Sequence, residues 1–401
     1  MDARTRFSFI AATGALLVLY FTSGSPISLY SMWQEELGMT HAQLSMASMW
    51  YLLGTVVPLL FLPRISDHLG RRPATMMILL VSICGALTFA MVDDPGMIMV
   101  GRLVQGMASG LGSSTVAAYV VDLSSDLPKW VGPMITSSAP TLGLSLGAFS
   151  SGGLVAYAGV GPSSYFVAAA VAIAAILVLI AFSKETVPRR PGLLRSMMPR
   201  VTLPKGCVRI YAACAMVFVS TWALGGFSQS FSSTIVAEQF GVHDAFVSAA
   251  VFVSLLLPNA FGSYFANRFD TRFAQRMGLG IYVLCAAMMY LSLSAWDSLV
   301  AFCVFSIAAG ISQGIAFTAG VSELLGRATQ AQRAGTFSTI YLTSYGGAAV
   351  PNLVVGMVCG NTAVETILGW YVLLALAMFV VLLVLTAKPY AAAEPQEVRV
   401  D

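Results

Sequence analysis

The chain has 401 residues, of which 57% are hydrophobic and only 10% charged, with a formal net charge of +3. An ordinary soluble domain carries about 25% charged residues, so the composition excludes a soluble enzyme, a disordered scaffold and a disulfide-stapled secreted module. The net charge is too small to argue for a nucleic-acid partner. Twelve helices of about 20 apolar residues each would use about 240 residues, which matches the apolar share.

In chain order, apolar runs predict helical spans at 7–30, 43–63, 74–92, 97–120, 133–157, 163–182, 209–235, 243–266, 277–295, 298–322, 335–358 and 363–386. These runs are too long for buried strands, and they lack the ten-residue alternation of a membrane barrel. The expected fold is therefore an all-α membrane protein of twelve transmembrane helices. The first span follows a short basic head, is longer than a signal-peptide core, and is expected to be retained. Cys84, Cys214, Cys285, Cys303 and Cys359 fall in apolar segments and Cys207 on the side of the basic loops; no pairing or metal spacing is visible, so free thiols are expected.

The basic residues set the orientation. Arg4 and Arg6 precede span one, Arg64, Arg71 and Arg72 follow span two, and Lys129 follows span four. Lys184, Arg189, Arg190, Arg195, Arg200, Lys205 and Arg209 lie between spans six and seven. Arg268, Arg272 and Arg276 follow span eight, Arg327 and Arg333 follow span ten, and Lys388 and Arg399 follow span twelve. Of the 21 Lys and Arg, all but Arg102 thus fall on one side, which marks that side, and both termini, as cytoplasmic in a plasma (inner) membrane. Glu35, Glu36, Asp93, Asp94, Glu238, Asp244, Asp297 and Glu365 fall in loops of the other side, and the middle of the spans holds no acid.

The two halves echo each other. Pro58 and Phe61 have Pro258 and Phe261 at the same offset, and "SDHLGRR" at 66–72 faces "ANRFDTR" at 266–272. Gln105-Gly106 has Gln313-Gly314, and Gly132 and Gly143 answer to Gly335 and Gly346. A duplicated unit predicts two pseudo-symmetric six-helix bundles, 1–182 and 209–401, joined by a polar, basic connector at 183–208. Parallel repeats place a binding site near the midplane between them.

Between spans two and three, "PRISDHLGRRP" (63–73) puts an acid among arginines at a helix–loop–helix corner. Gly70 allows the tight turn, and Asp122, at the end of span four, offers the cations a second partner. Such a cluster would hold helix ends together in one state and release them in another; the plainer reading is charge that only sets topology. Through Asp67, Gly70, Arg71 and Arg72 the loop resembles the signature of the major facilitator superfamily, with Pro63 and His68 as departures. In span four, "GRLVQGMASG" resembles that family's second signature through Arg102, Gln105 and Gly106. In span five, "SAPTLGLSLG" is a degraded form of the antiporter-branch signature: Pro140 and Gly143 remain, and Ala139 and Leu144 replace glycines. The resemblance implies the major facilitator fold, a drug or metabolite efflux branch driven by protons, and a cavity lined by spans one, four, seven and ten.

Arg102 is the one basic residue inside a span, where a charge costs at least ~2.5 kcal/mol on insertion scales. It is expected to face a cavity; the alternative is snorkelling to the outer headgroups. Gln105 and Ser109 follow on the same face. Tyr20 in span one, Trp222 and Gln229 in span seven, and Gln313 and Phe317 in span ten complete the candidate substrate cavity, with Gln105 and Gln313 facing each other across the pseudo-axis. Small residues on these faces serve close packing equally well.

No nucleotide loop, metal-spaced set or hydrolytic arrangement is present, so no cofactor, metal or catalytic residue is expected. The expected function is a monomeric secondary transporter in the lipid bilayer, exporting small organic or drug-like molecules, with protons as the candidate coupling ion. The alternatives are uptake of a small organic anion held by Arg102, and a membrane-embedded enzyme or channel. Reporter fusions at Asp401 and in the 183–208 connector should both read cytoplasmic; an outward reading at either ends the twelve-span arrangement.

Overall fold

Lipid offers no partner to a free backbone N–H or C=O, so a spanning apolar run must close its hydrogen bonds on itself as a helix. The computed structural model describes residues 1–128, 131–188, 191, 203, 206–266, 268–329, 332–360 and 362–388. Lys129, Arg189, Arg190, Arg195, Arg200, Lys205, Arg399 and most of the 183–208 connector lie outside the described residues, as does the side chain of Arg333.

The first six spans are Ala3–Gly24, His41–Phe61, Arg71–Ala90, Pro95–Leu123, Val131–Ala158 and Pro162–Ala181. The second six are Val208–Thr234, Ala245–Leu256 with Asn259–Ala266, Thr271–Ser294, Leu299–Gly326, Arg333–Val358 and Val364–Leu385. Among the described residues 10 segments are long and apolar enough to cross a membrane by composition alone. The other two, spans four and eleven, are helical over 29 and 26 residues, which at 1.5 Å per residue also crosses the hydrocarbon. The fold is all-α, two pseudo-symmetric six-helix bundles.

Polar side chains start several helices where the sequence supplies a cap. Asp2 accepts from the Thr5 N–H at 2.6 Å, and hydrogen bonds from Thr5 hold its carboxyl below the usual carboxylate range. Thr40 and Gln43 form a reciprocal capping box at span two. Asp94, Asp244, Asp270 and Ser298 cap spans four, eight, nine and ten.

Two spans depart from the expected bounds. Span one does not stop at residue 30. It breaks at Ser25-Pro26, makes a tight turn at Ile27–Leu29 and resumes as a helix over Tyr30–Leu37. The polar Gln34 and Glu35 dock there on the second half, through Glu238, Thr234 and His243. Span eight is split beside Pro258, whose ring and missing N–H interrupt the ladder.

Glycines let helices touch backbone to backbone, and they do so alike in both halves. A Cβ on Gly106 of span four would stand 2.1 Å from the Tyr51 carbonyl oxygen of span two. A Cβ on Gly314 of span ten would stand 2.1 Å from the Asn259 carbonyl oxygen of span eight. The Gln-Gly echo in the sequence is thus the same helix contact made twice.

The halves are joined at the end opposite the basic loops. Gln34 donates to Glu238 at 2.6 Å, the Ser31 N–H donates to Ser233 at 3.1 Å, and Ser45 donates to the Asn352 carbonyl at 2.7 Å. The Ala42 N–H donates to the Gly360 carbonyl, and His243 pairs with Glu35 at 2.7 Å. At the basic end, Arg71 bonds within the first half, while Arg209, Arg272 and Arg276 bond to residues 385–388 of the second. Large apolar side chains such as Leu80, Val171, Val300 and Val384 stand more than half exposed on the flanks, where lipid would cover them. All six cysteines are free thiols.

One of the two closest helix contacts tests this packing. A Cβ on Gly147 would lie 1.9 Å from the Phe21 carbonyl oxygen of span one. Gly147→Val should lower stability by about 1–3 kcal/mol, read as a drop in the thermal midpoint of purified protein, whereas Gly161→Val, where a Cβ meets open space, should leave it unchanged.

Candidate functional site

Three groups of polar and aromatic side chains stand out, and the first lies at the basic end. Arg71 reaches Asp67 at 2.7 Å, Asp122 at 2.9 Å and the Ser66 hydroxyl at 2.5 Å. Gly70 turns the chain at φ +94°, and a Cβ there would also stand 2.6 Å from the Glu185 carboxylate. The positive φ is what demands glycine; the Glu185 carboxylate is the end of a flexible side chain and could move aside. Glu185 accepts the backbone N–H groups of Arg71 and Arg72 at 2.8 and 3.1 Å. It caps the start of span three, where a helix favours negative charge. Its own strand of chain is tied down by Thr186, which donates to Asp122 at 3.1 Å, and by Tyr119, which donates to the Lys184 carbonyl. Sequence reasoning missed Glu185 and Ser66. The available signal was one acid beside Lys184 at the start of a basic connector. Beside this cluster, Arg72, Pro73, Met76, Glu185, Val187 and Pro188 line a cavity of about 430 Å³.

The second group surrounds Arg102, which stands in neither of the two expected places. It is fully buried inside the first bundle, at 0% exposure, rather than open to a cavity or among headgroups. The cause is the break in span one. Pro26 has no N–H, so the Thr22 carbonyl four residues earlier has no helical donor. Gln105 supplies one, donating to Thr22 at 2.7 Å. Arg102 donates to the next carbonyl, Ser23, at 2.7 Å, and Ser109 shares a hydrogen bond with the Ser23 hydroxyl at 2.7 Å. The Arg102 guanidinium lies 4.4 Å from the Tyr51 ring centre and 5.9 Å from that of Tyr30. A desolvated cation–π contact is worth about 2 kcal/mol. Gln105 is therefore engaged with span one, and among the described residues it shares no hydrogen bond with Gln313.

The third group is aromatic and joins the halves. Trp222 packs against Tyr345 at 4.7 Å and Phe317 at 6.0 Å between ring centres, and Phe317 packs on Phe218 at 5.2 Å. Tyr341 lies 6.3 Å from Tyr345. Tyr51 of the first half is buried in one cluster with Leu52 and Ala348, and Trp222 and Tyr345 pack against that cluster. Trp222, Phe317 and Gln313 are half-buried, while Gln229 is buried with its amide oxygen unpartnered among the described residues. The structure thus brings together Trp222 and Phe317 of the expected set and adds Tyr51, Tyr341 and Tyr345, while Tyr20 is buried in the core of the first bundle. The last two sit one helical turn apart on span eleven, a spacing visible in the sequence. A second cavity, of about 440 Å³, faces outward between spans eleven and twelve against Val350, Val354, Val358 and Trp370.

Comparison with known proteins names the class. Residues 12–351 match the Major Facilitator Superfamily, and the chain belongs to it. It is a multi-pass membrane protein of that family. The multidrug resistance protein MdtL of Citrobacter koseri is 25% identical over 96% of each chain. MdtL of Klebsiella pneumoniae is 32% identical over 28% of this chain and only 29% of its own length. Among solved structures, a bacterial homologue of the human lysosomal transporter Spinster, inward-facing and occupied, superposes with a TM-score of 0.72 at 13% identity, over 96% of each chain. The nucleoside transporter NupG superposes with a TM-score of 0.67 at 14% identity, over 94% of this chain and 99% of its own. These likenesses carry the fold.

Arg102 offers the sharpest test of the geometry. Arg102→Ala leaves the Ser23 carbonyl without its donor and should lower stability by about 1–3 kcal/mol. Arg102→Lys keeps the charge but loses the planar fork over Tyr51 and should recover only part of it. The thermal midpoints of the three proteins, in detergent at one pH, decide this.

Proposed function

We propose that this protein is a secondary transporter that alternates access between the two sides of a bacterial inner membrane and exports small, aromatic, drug-like molecules in exchange for protons. It works as a single chain with both termini in the cytoplasm, as the side of the basic loops argues. Residues 1–182 and 209–401 are its two moving units, linked by 183–208.

The observation that carries this reading is the aromatic set shared between the halves. Rings from spans two, seven, ten and eleven converge there. Such surfaces take planar amphiphiles by stacking and apolar contact, with the Gln313 amide as a polar contact. The MdtL names of the relatives point to the same substrate class. Hydrogen bonds between the halves at the far end fit a state open toward the cytoplasm. Arg102, buried behind Tyr51, is poorly placed to hold an organic anion, which disfavours the uptake reading. Asp67, Arg71, Arg72 and Asp122, with Gly70 at the turn, act as the cytoplasmic gate, and Glu185 joins them.

Purified protein in liposomes tests the proposal. With an acid interior and cytoplasmic faces outward, the vesicles should accumulate a fluorescent planar aromatic cation or neutral aromatic amphiphile, and a protonophore should abolish this. Trp222→Ala should weaken apparent affinity about 2- to 10-fold, the equivalent of ~0.5–1.5 kcal/mol per aromatic contact. Accumulation of a carboxylate instead, or transport indifferent to the pH gradient, overturns the export-for-proton reading.

A further inference from the structure

The contact that closes the outer end contains a histidine whose two ring nitrogens both face acceptors. His41 begins span two, directly after the Thr40 cap. Its Nδ1 lies 2.7 Å from the Thr362 carbonyl oxygen, in the loop between spans eleven and twelve. Its Nε2 lies 3.0 Å from each oxygen of Glu238, at the end of span seven. The ring is 5% exposed and meets Phe231 edge-on at 6.0 Å. A carbonyl and a carboxylate only accept, so both nitrogens must donate, and a neutral imidazole has one N–H. The closed geometry therefore holds one proton more than a neutral histidine beside a carboxylate.

We propose that His41 and Glu238 form a proton-binding latch: closing the outer end takes up one proton from the outer solution onto His41 Nε2, so acid outside favours the closed, cytoplasm-facing state. This rests on the alternating-access reading and its orientation. His41 belongs to the first half, while Glu238, Thr362 and Phe231 belong to the second, so the contact exists only when the ends meet. Gln34 completes it, donating to Glu238 at 2.6 Å while its oxygen accepts from Thr234 at 3.0 Å. Once the ends part, His41 loses both acceptors and a neutral ring suffices. No bond breaks in the step; a proton adds on closing and leaves on opening.

The other charged groups at this rim are known. Glu365, at the start of span twelve, adds negative potential at His41. Glu35 is paired with the exposed His243 at 2.7 Å, and Asp244 caps span eight and accepts from Tyr157 at 3.2 Å. Glu36 stands beside Glu35 on the same helix. The proton's contribution to closure is fully present below about 6.5, the value of a free imidazole, and is lost at higher pH. One linked proton changes the closed-to-open ratio by at most about tenfold per pH unit.

The test uses the full chain in nanodiscs, with its native cysteines replaced and spin labels at Asp93→Cys and Asp297→Cys on the outer loops of the two halves. The distance distribution should shift toward the closed form as pH falls from about 8 to about 5.5, within that tenfold per unit. His41→Gln should flatten the response to less than about twofold over the whole range, and His243→Gln should keep it. Should His41→Gln not insert, Glu238→Gln decides alone, because it keeps the imidazole and removes its counter-charge, and it should weaken the response. A wild-type ratio indifferent to pH overturns the latch, and so does a response that survives His41→Gln or follows His243. Outer ends that never separate under any condition overturn alternating access as well.

Discussion

A carbonyl oxygen buried within a membrane-spanning bundle has no water to turn to, and Pro26 creates such a carbonyl on Thr22 by withholding the next turn's donor. The repair fixes much of the first bundle. Gln105 and Arg102 reach across from span four to bond Thr22 and Ser23, which sets the depth of span four against span one. Tyr51 of span two then covers the guanidinium. The buried Arg102 guanidinium is met by the Ser23 carbonyl, the Gln105 amide oxygen and two rings, while its Nε and Nη2 have no partner among the described residues. The break also aims the helix Tyr30–Leu37 at the second half, where Ser31 and Gln34 make bonds that join the bundles.

Close helix packing is the second constraint. Spans two and four touch through Gly106, and spans eight and ten through Gly314. With no hydrophobic force to press helices together in lipid, backbone approach and dispersion must hold them. In the proposed alternating-access cycle each bundle rocks as a unit about the shared interface, and the aromatic set, which sits there, would change neighbours.

The two ends of the molecule are built differently. At the basic end, Arg71 is satisfied by Asp67 and Asp122 of its own half, with Glu185 holding the adjoining turn. At the far end, the polar groups bond across the halves, His41 with Glu238 and Ser45 with Asn352. In the proposed cycle, a state with one end self-satisfied and the other cross-linked is one of two members. Small differences between such contacts set the population of each member.

The sequence by itself determined the helices and the repeat that relates the two halves. Span lengths follow from lipid thickness, caps from Asp, Thr and Ser at helix starts, and the Gln-Gly echo from a helix contact used twice. The Asp67–Arg71–Asp122 cluster was legible because its members lie at a short loop and at one helix end. Arg102 was legible as an oddity but not in its surroundings, because its partners are backbone carbonyls, and every residue carries one of those. Tyr51, Tyr341, Tyr345 and the His41–Glu238 contact were decided by tertiary structure alone. They meet across 197 to about 300 positions of chain, and a helical repeat says which face a side chain lies on, not which helix from the other bundle comes to meet it.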